Sequence, residues 1–254
     1  MEKIEKYLSS RFHFFFQFFD RSHWSIICYI NISPSTKKPK LSHTDSDMSE
    51  YTQDGPEANE IASVIPYYPF HGVPRFYDIS GMTQNPDKFQ LCTDIFAKRY
   101  ASLEVDCIAG LDARGFVLGP PIALALKKPF VMVRKQGKLP NSVAGGVYRK
   151  EYKGDNAAGG DSLCVSKTSI KPGNRVLVID DLVATGGTLI AACDLLASLG
   201  AVIVECACIV ELKMLNGYGK LKEKHPDVQV FGLISEDILQ LKGDWPEAEE
   251  EVKN

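Results

Sequence analysis

The sequence predicts an α/β fold: a mainly parallel central sheet with helices on both faces. Three observations carry this expectation. Cys107–Leu111, Pro129–Arg134, Arg175–Ile179, Ala201–Val210 and Asp227–Ile234 are short, largely apolar runs, the pattern of strands covered on both sides. Helical stretches alternate with these runs, which favours parallel pairing. Two of the runs end in small-residue turns that open into helices, Asp112-Ala-Arg-Gly115 and Ala184-Thr-Gly-Gly-Thr188, so both turns are expected in one crevice at the strands' carboxyl ends. With 254 residues and 44% hydrophobic content, the chain can bury a full core, as one domain or as one domain with an appendage.

In chain order, residues 1–47 read differently from the rest. Six of the thirteen Phe fall within Phe12–Phe19, followed by an apolar stretch from Trp24 to Ile30 and a Ser/Pro/Lys stretch from Ser33 to Lys40. Lys3, Lys6 and Arg11 ahead of apolar residues resemble a targeting segment, but Glu2 and Glu5 oppose that reading. A partner-binding or membrane-surface helix is a second reading. The favoured one is a poorly structured extension, with Met48-Ser-Glu an ordinary cytosolic start.

Ile61, Val64 and Ile65 predict a short helix, and the Pro- and aromatic-rich segment Pro69–Ser80 a loop packed on the core. Asn85 as cap and Pro86 at the first helical position begin a helix that runs to Tyr100. The strand Cys107–Leu111, the turn Asp112–Gly115 and a helix over about 116–126 follow. After the strand ending at Arg134 comes a long loop to Tyr152 with three glycines and the cations Arg134, Lys135, Lys138, Arg149 and Lys150. That composition suits a mobile lid closing over a polyanion, at about 135–152. Asp161–Thr168 reads as a strand of a flanking hairpin, and Lys171-Pro-Gly-Asn174 as a turn. Leu189, Ile190, Cys193, Leu196 and Ala197 mark one helix face, ending at Gly200. Cys206 and Cys208 alternate on the next strand and are expected to be core residues. Glu211–Leu215 reads as a short turn or helix, and an exposed tail begins at Glu236.

The chemistry concentrates in Arg175–Thr188. A buried strand, a Gly-Gly loop and a helix N-terminus form a cradle for a phosphate, using Ala184, Thr185, Gly186, Gly187 and Thr188. Asp180 and Asp181 beside an anion need a reason, and a sugar with two free hydroxyls supplies one. No Lys follows the glycines, so this is not a Walker loop. Arg114 at the other strand end suits a diphosphate through paired hydrogen bonds. Together these predict a site for phosphoribosyl diphosphate.

Asp-Asp-Leu-Val-Ala-Thr-Gly-Gly-Thr, Gly-Leu-Asp-Ala-Arg-Gly-Phe and Arg-Lys-Gln-Gly-Lys-Leu-Pro resemble, in order, motifs of the adenine phosphoribosyltransferases among the type I phosphoribosyltransferases. The resemblance covers roughly 61–236. It implies the type I phosphoribosyltransferase fold with a small hood over the purine at about 60–82, all within a domain 48–254. It implies that adenine and phosphoribosyl diphosphate react to AMP and diphosphate, with Mg²⁺ as cofactor, held mainly by substrate and water. Carried residue by residue, it makes Glu151 and Arg114 catalytic, and Tyr148 and Tyr152 lid contacts. Asp112, Ala113, Arg114, Arg134, Lys135 and Lys138 would bind diphosphate, Asp180 and Asp181 ribose, and Val73, Arg75, Phe76 and Leu182 adenine. Ala113 replaces a common Ser, a tolerable change if the backbone binds the ligand, and a cis bond is expected at Asp112–Ala113. Val-Pro-Arg-Phe-Tyr departs from the common Val-Val-Phe-Arg of the hood. The family also implies a homodimer.

Two other readings share the central motif: a transferase for another nucleobase, and a non-catalytic regulator that binds phosphoribosyl diphosphate. The lid and the Asp112–Gly115 turn speak against the first. A net charge of −3 and no helix-turn-helix pattern in 1–47 speak against the second and against nucleic acid as a partner. No run reaches membrane-spanning length, and seven dispersed cysteines suit a reducing, cytoplasmic setting.

Overall fold

A computed structural model describes residues 51–70, 72–148 and 161–244. The expectations for 1–47, for Arg149, Lys150, Glu151 and Tyr152, and for the tail beyond Asp244 lie outside these residues. The elements are α1 (Pro56–Ala62), β1 (Tyr67–Phe70), β2 (Val73–Tyr77), α2 (Ser80–Thr83), α3 (Pro86–Tyr100), β3 (Cys107–Leu111), α4 (Gly115–Leu126), β4 (Phe130–Lys135), β5 (Ser142–Tyr148), β6 (Asp161–Ser166), β7 (Arg175–Val183), α5 (Gly187–Ser198), β8 (Val202–Glu211), α6 (Gly217–Lys224) and β9 (Gln229–Ser235), with 3₁₀ turns at Lys213–Leu215 and Glu236–Ile238.

The main sheet has seven strands in the order β5-β6-β4-β3-β7-β8-β9. Strands β4, β3, β7, β8 and β9 pair in parallel, while β6 joins β4, and β5 joins β6, antiparallel. The mainly parallel α/β expectation therefore holds, with a flanking hairpin at one edge. Side chains alternate across each strand, so the sheet serves two cores. Leu177, Ile179, Ala207 and Ile209 pack with α1, α3 and α4. Val176, Val178, Cys206 and Cys208 pack beneath α5 and α6 on the other face. Helix α3 starts as its sequence requires: the Asn85 side chain accepts from Lys88 N at 3.3 Å, with Pro86 next.

The structure departs from the sequence expectations in four places. Pro69–Ser80 is not simply a loop, because β1 and β2 form an antiparallel hairpin. Its prolines disguised it; Pro69 falls where the register shifts between Tyr68 and Phe70, a position that tolerates a missing N–H. Ser142–Tyr148, within the expected lid loop, is strand β5. Helix α6 was not anticipated, since only Tyr218 and Leu221 mark its buried face among glycines and charges. The stretch from Glu236 is not a free tail: Leu239 is fully buried, and Tyr67 exchanges backbone hydrogen bonds with Leu241 and Gly243. That exchange pins the outer edge of the β1–β2 hairpin.

Candidate active site

Strands β3 and β7 are parallel neighbours, from Cys107 opposite Val176 to Gly110 opposite Ile179, so their carboxyl ends open on the same edge. Beyond Ile179, β7 loses β3 but keeps β8 as far as Val183 opposite Glu211. Asp180 and Asp181 were expected after the strand; they lie within it, where β3 has turned away and β7 forms one wall of the crevice. The turn out of β3 holds a cis peptide bond between Asp112 and Ala113, as the family resemblance implied.

The turn out of β7 is the phosphate-cradle candidate. Gly186 adopts φ +82°, a left-handed value that glycine takes without cost, and caps α5. Its carbonyl accepts the first helical bond, from Ile190 N at 2.9 Å. Ala184, Thr185, Gly187 and Thr188 are partly exposed, whereas Gly186 is buried. The early N–H groups of α5 have no earlier carbonyl within the helix, and the helix end carries partial positive charge, so an anion is the natural occupant of this loop.

Arg114 sits between two parts of the crevice, β7 and the β1–β2 hairpin. Its Nη1 donates to Asp181 Oδ2 at 3.2 Å. Its guanidinium carbon lies 5.1 Å from the centre of the Phe76 ring, a cation–π contact to the hairpin. Asp181 is 7% exposed. Burial pushes its carboxyl above the ordinary aspartate range, against the lowering effects of Arg114 and of hydrogen bonds around Asp180. Asp180 Oδ1 accepts from the backbone N–H of Asp181 at 3.0 Å. Asp112 accepts from Arg134 Nε at 3.1 Å, while Arg134 Nη1 donates to the Lys138 carbonyl at 3.0 Å. Lys135 Nζ lies 3.5 Å from Asp161 Oδ2. Lys135 and Lys138 line a cavity of 380 Å³ with Gln136, Gly137, Val147, Asp161 and Ser162.

The hairpin divides its residues between two faces. Phe76 packs against Phe70, ring centres 5.1 Å apart, on the face that meets Arg114. Arg75 turns the other way and lies over Tyr67, 4.8 Å from its ring centre, where Tyr67 also meets Tyr77 edge-on. Val73 is 39% exposed. Leu182 is partly buried against the core that also receives Tyr67.

Residues 78–244 match the phosphoribosyl transferase domain family. Adenine phosphoribosyltransferase 1 of Triticum aestivum is 43% identical over 173 residues, covering 68% of this chain and 90% of its own. Adenine phosphoribosyltransferase 2 of Arabidopsis thaliana is 47% identical over 166 residues, 65% of this chain and 83% of its own. The chain belongs to the adenine phosphoribosyltransferase family. Among solved structures, the Trypanosoma brucei adenine phosphoribosyltransferase in complex with AMP, pyrophosphate and ribose 5-phosphate has a TM-score of 0.71 and 33% identity, covering 78% of this chain and 88% of that one.

In this phosphoribosyltransferase Phe76, Arg114 and Asp181, which come from three separate stretches of the sequence, meet on β7 next to Asp180 and ahead of the 184–188 loop. Arg134, Asp112 and Lys138 form a second group joined by hydrogen bonds. Tyr148 ends β5, opposite Asp161 on β6. The sequence reading missed Phe70, which packs beside Phe76. Its signal was only aromatic enrichment, which core packing explains equally well. It also missed the pairing of Arg114 with Asp181, because the contact depends on the register between β3 and β7.

Proposed function

We propose that this chain is a purine-salvage enzyme that transfers the phosphoribosyl group of phosphoribosyl diphosphate to adenine, giving AMP and diphosphate. The observation that carries this is Arg114, which joins the Phe76 ring to the buried Asp181 on β7, the strand that runs on into the Gly186 loop. Ribose, diphosphate and a flat base would meet at that one residue. A base nitrogen forms its bond to the anomeric carbon as the carbon–oxygen bond to diphosphate breaks, the electron pair leaving with diphosphate. Positive charge develops on the sugar and negative charge on the leaving group. Arg114, Arg134, Lys135 and Lys138 would meet the latter, and the 184–188 loop would hold the 5′-phosphate. Asp180 and Asp181 would accept from the ribose hydroxyls. Phe76 and Leu182 supply apolar contact for adenine; Val73 and Arg75 contribute through the hairpin backbone, the Arg75 side chain being engaged with Tyr67.

Mg²⁺ fits this site as an ion brought by the substrate. The hard oxygens of Asp180 and Asp181 suit it, but Asp181 is shared with Arg114, which leaves diphosphate oxygens and water as its main ligands. When bound, it neutralises charge on the departing diphosphate.

By resemblance, Glu151 accepts the purine proton as a lid of about 135–152 closes, with Tyr148 and Tyr152 as its contacts. Glu151→Gln is then expected to lower kcat about 100-fold with little change in KM; an equal loss in binding would assign it a structural role. Thermal melting tests the choice of ligand. A nucleotide at 100 times its Kd adds about 2.7 kcal/mol, so saturating AMP is expected to raise Tm where IMP, GMP and UMP at the same concentration do not. Equal shifts would contradict the adenine assignment.

The same reading makes the protein a homodimer. Helix α4 is apolar on every side, yet Val117 and Leu124, spaced along one face, are 42% and 79% exposed. Such a helix is normally covered, here by a second copy. Leu124→Glu is expected to give monomers in sedimentation; an unchanged dimer would place the interface elsewhere. We place the protein in the cytoplasm, on the reading of Met48-Ser-Glu as an ordinary cytosolic start. A 42% identical relative of Arabidopsis thaliana is named as chloroplastic, so imaging the full chain beside one starting at Met48 decides the compartment.

A further inference from the structure

We infer that Gly217 is a positioning residue for the 5′-phosphate loop, held in place by Glu236 and, behind it, Asp54. The inference rests on the functional reading above for the identity of the loop's ligand; the contacts themselves do not.

Gly217 opens α6 directly after Asn216, which takes φ +52°. A Cβ placed on Gly217 would fall 2.8 Å from Val183 Cγ1 and 2.9 Å from the backbone N of Gly186, and nearer still to the Ala184 carbonyl oxygen. In the other direction, a Cβ on Gly186 would meet the Gly217 carbonyl oxygen at 2.6 Å. Two glycine backbones therefore touch, one from the cradle and one from outside the motif. The Gly186 loop binds through backbone groups, so its affinity depends on where the backbone is held. Gly217 is the surface it rests on.

That surface is itself braced. Leu212 N donates to the Val183 carbonyl at 2.9 Å, joining the 212–217 segment to the last residue of β7. The Glu236 carboxylate accepts from Met214 N through Oε1 and from Lys213 N through Oε2, both at 2.9 Å. Next to Glu236, Ser235 donates through its N and its Oγ to Asp54, each at 2.7 Å, and Asp54 also lies 3.4 Å from Lys213 Nζ. A line of contacts thus runs from Asp54 through Ser235 and Glu236 to the 213–217 segment and on to Gly186. A one-carbon change at its inner end should shift the cradle, and the phosphate contacts should register it first.

The test uses the full chain, with ribose 5-phosphate as the binding probe and steady-state turnover as the second readout. Gly217→Ala is expected to raise the Kd for ribose 5-phosphate and the KM for phosphoribosyl diphosphate about 10- to 100-fold, with kcat at saturation and the KM for adenine within about 3-fold of wild type. Glu236→Ala adds no bulk and is expected to move the same two constants in the same direction, by about 5-fold. A folded Gly217→Ala with wild-type ribose 5-phosphate affinity would overturn the inference, as would a loss confined to kcat. If Gly217→Ala does not fold, Glu236→Ala decides alone: unchanged affinity overturns the inference. If the wild-type protein itself binds no ribose 5-phosphate, the functional reading fails and the inference falls with it.

Discussion

Arg114→Ala is expected to lower kcat/KM for phosphoribosyl diphosphate about 100- to 1,000-fold, the cost of losing a preorganised group at developing charge. Two effects combine. The leaving diphosphate loses a cation, and Asp181, 7% exposed, loses the guanidinium that meets it at 3.2 Å. Burial already pushes the Asp181 carboxyl upward, and without Arg114 it would rise further, so the ribose site would tend to its neutral form. Asp181→Asn alone is expected to weaken phosphoribosyl diphosphate and AMP binding without lowering Tm, since it removes a buried charge. The double variant should be less damaged than the two single losses combined, by about 0.5–3 kcal/mol of coupling. Steady-state kinetics on the four proteins measures this. Strict additivity would mean that Arg114 and Asp181 act separately. The raised carboxyl has a pH signature too: as pH falls, kcat/KM should decline above the ordinary aspartate range in wild type but not in Asp181→Asn.

The largest expected effect on stability lies away from the site. Arg99 on α3 grips Glu205 on β8 with two bonds, Nε to Oε2 at 2.9 Å and Nη2 to Oε1 at 2.8 Å. Its guanidinium also lies 3.8 Å from the centre of the Phe231 ring. The Glu205 side chain is 6% exposed and the Arg99 side chain 24%. Arg99→Met keeps the packing stem but strands a carboxylate in the core, which costs about 3–5 kcal/mol when a buried pair is broken. Adding Glu205→Leu should restore most of that loss, because the apolar pair no longer carries an unpaired charge. Urea unfolding at one fixed protein concentration reads both effects. An Arg99→Met protein within about 1 kcal/mol of wild type would show that water reaches Glu205.

Much of this was legible before the structure. The β7 run and the α3 cap are local signals, written in adjacent residues; the cap formed as read, and the strand formed but runs four residues further, to Val183. The Asp112–Ala113 turn was legible through its resemblance to known members. The hairpin hid behind Pro69 and Pro74, whose usual meaning is a loop. Strand β5 hid among glycines in a loop flanked by lysines, and exists because β6, the next strand in the chain, pairs with it. Arg114 meeting Asp181, Arg75 turning to Tyr67, and Gly217 resting on Gly186 are all consequences of register and topology. Arg75 and Tyr67 share one short stretch but meet only through the hairpin's register, and the other two pairs join residues from separate stretches of the chain.

The central claim is adenine transfer in the crevice around Arg114. The most direct test is turnover of phosphoribosyl diphosphate and Mg²⁺ with adenine, hypoxanthine, guanine, xanthine and uracil in parallel. The account predicts AMP and diphosphate from adenine alone. Turnover with another base would leave the fold and the phosphate cradle standing and refute the assignment of Phe76 and Leu182 to adenine. No turnover with any base, alongside measurable binding of phosphoribosyl diphosphate, would contradict catalysis itself.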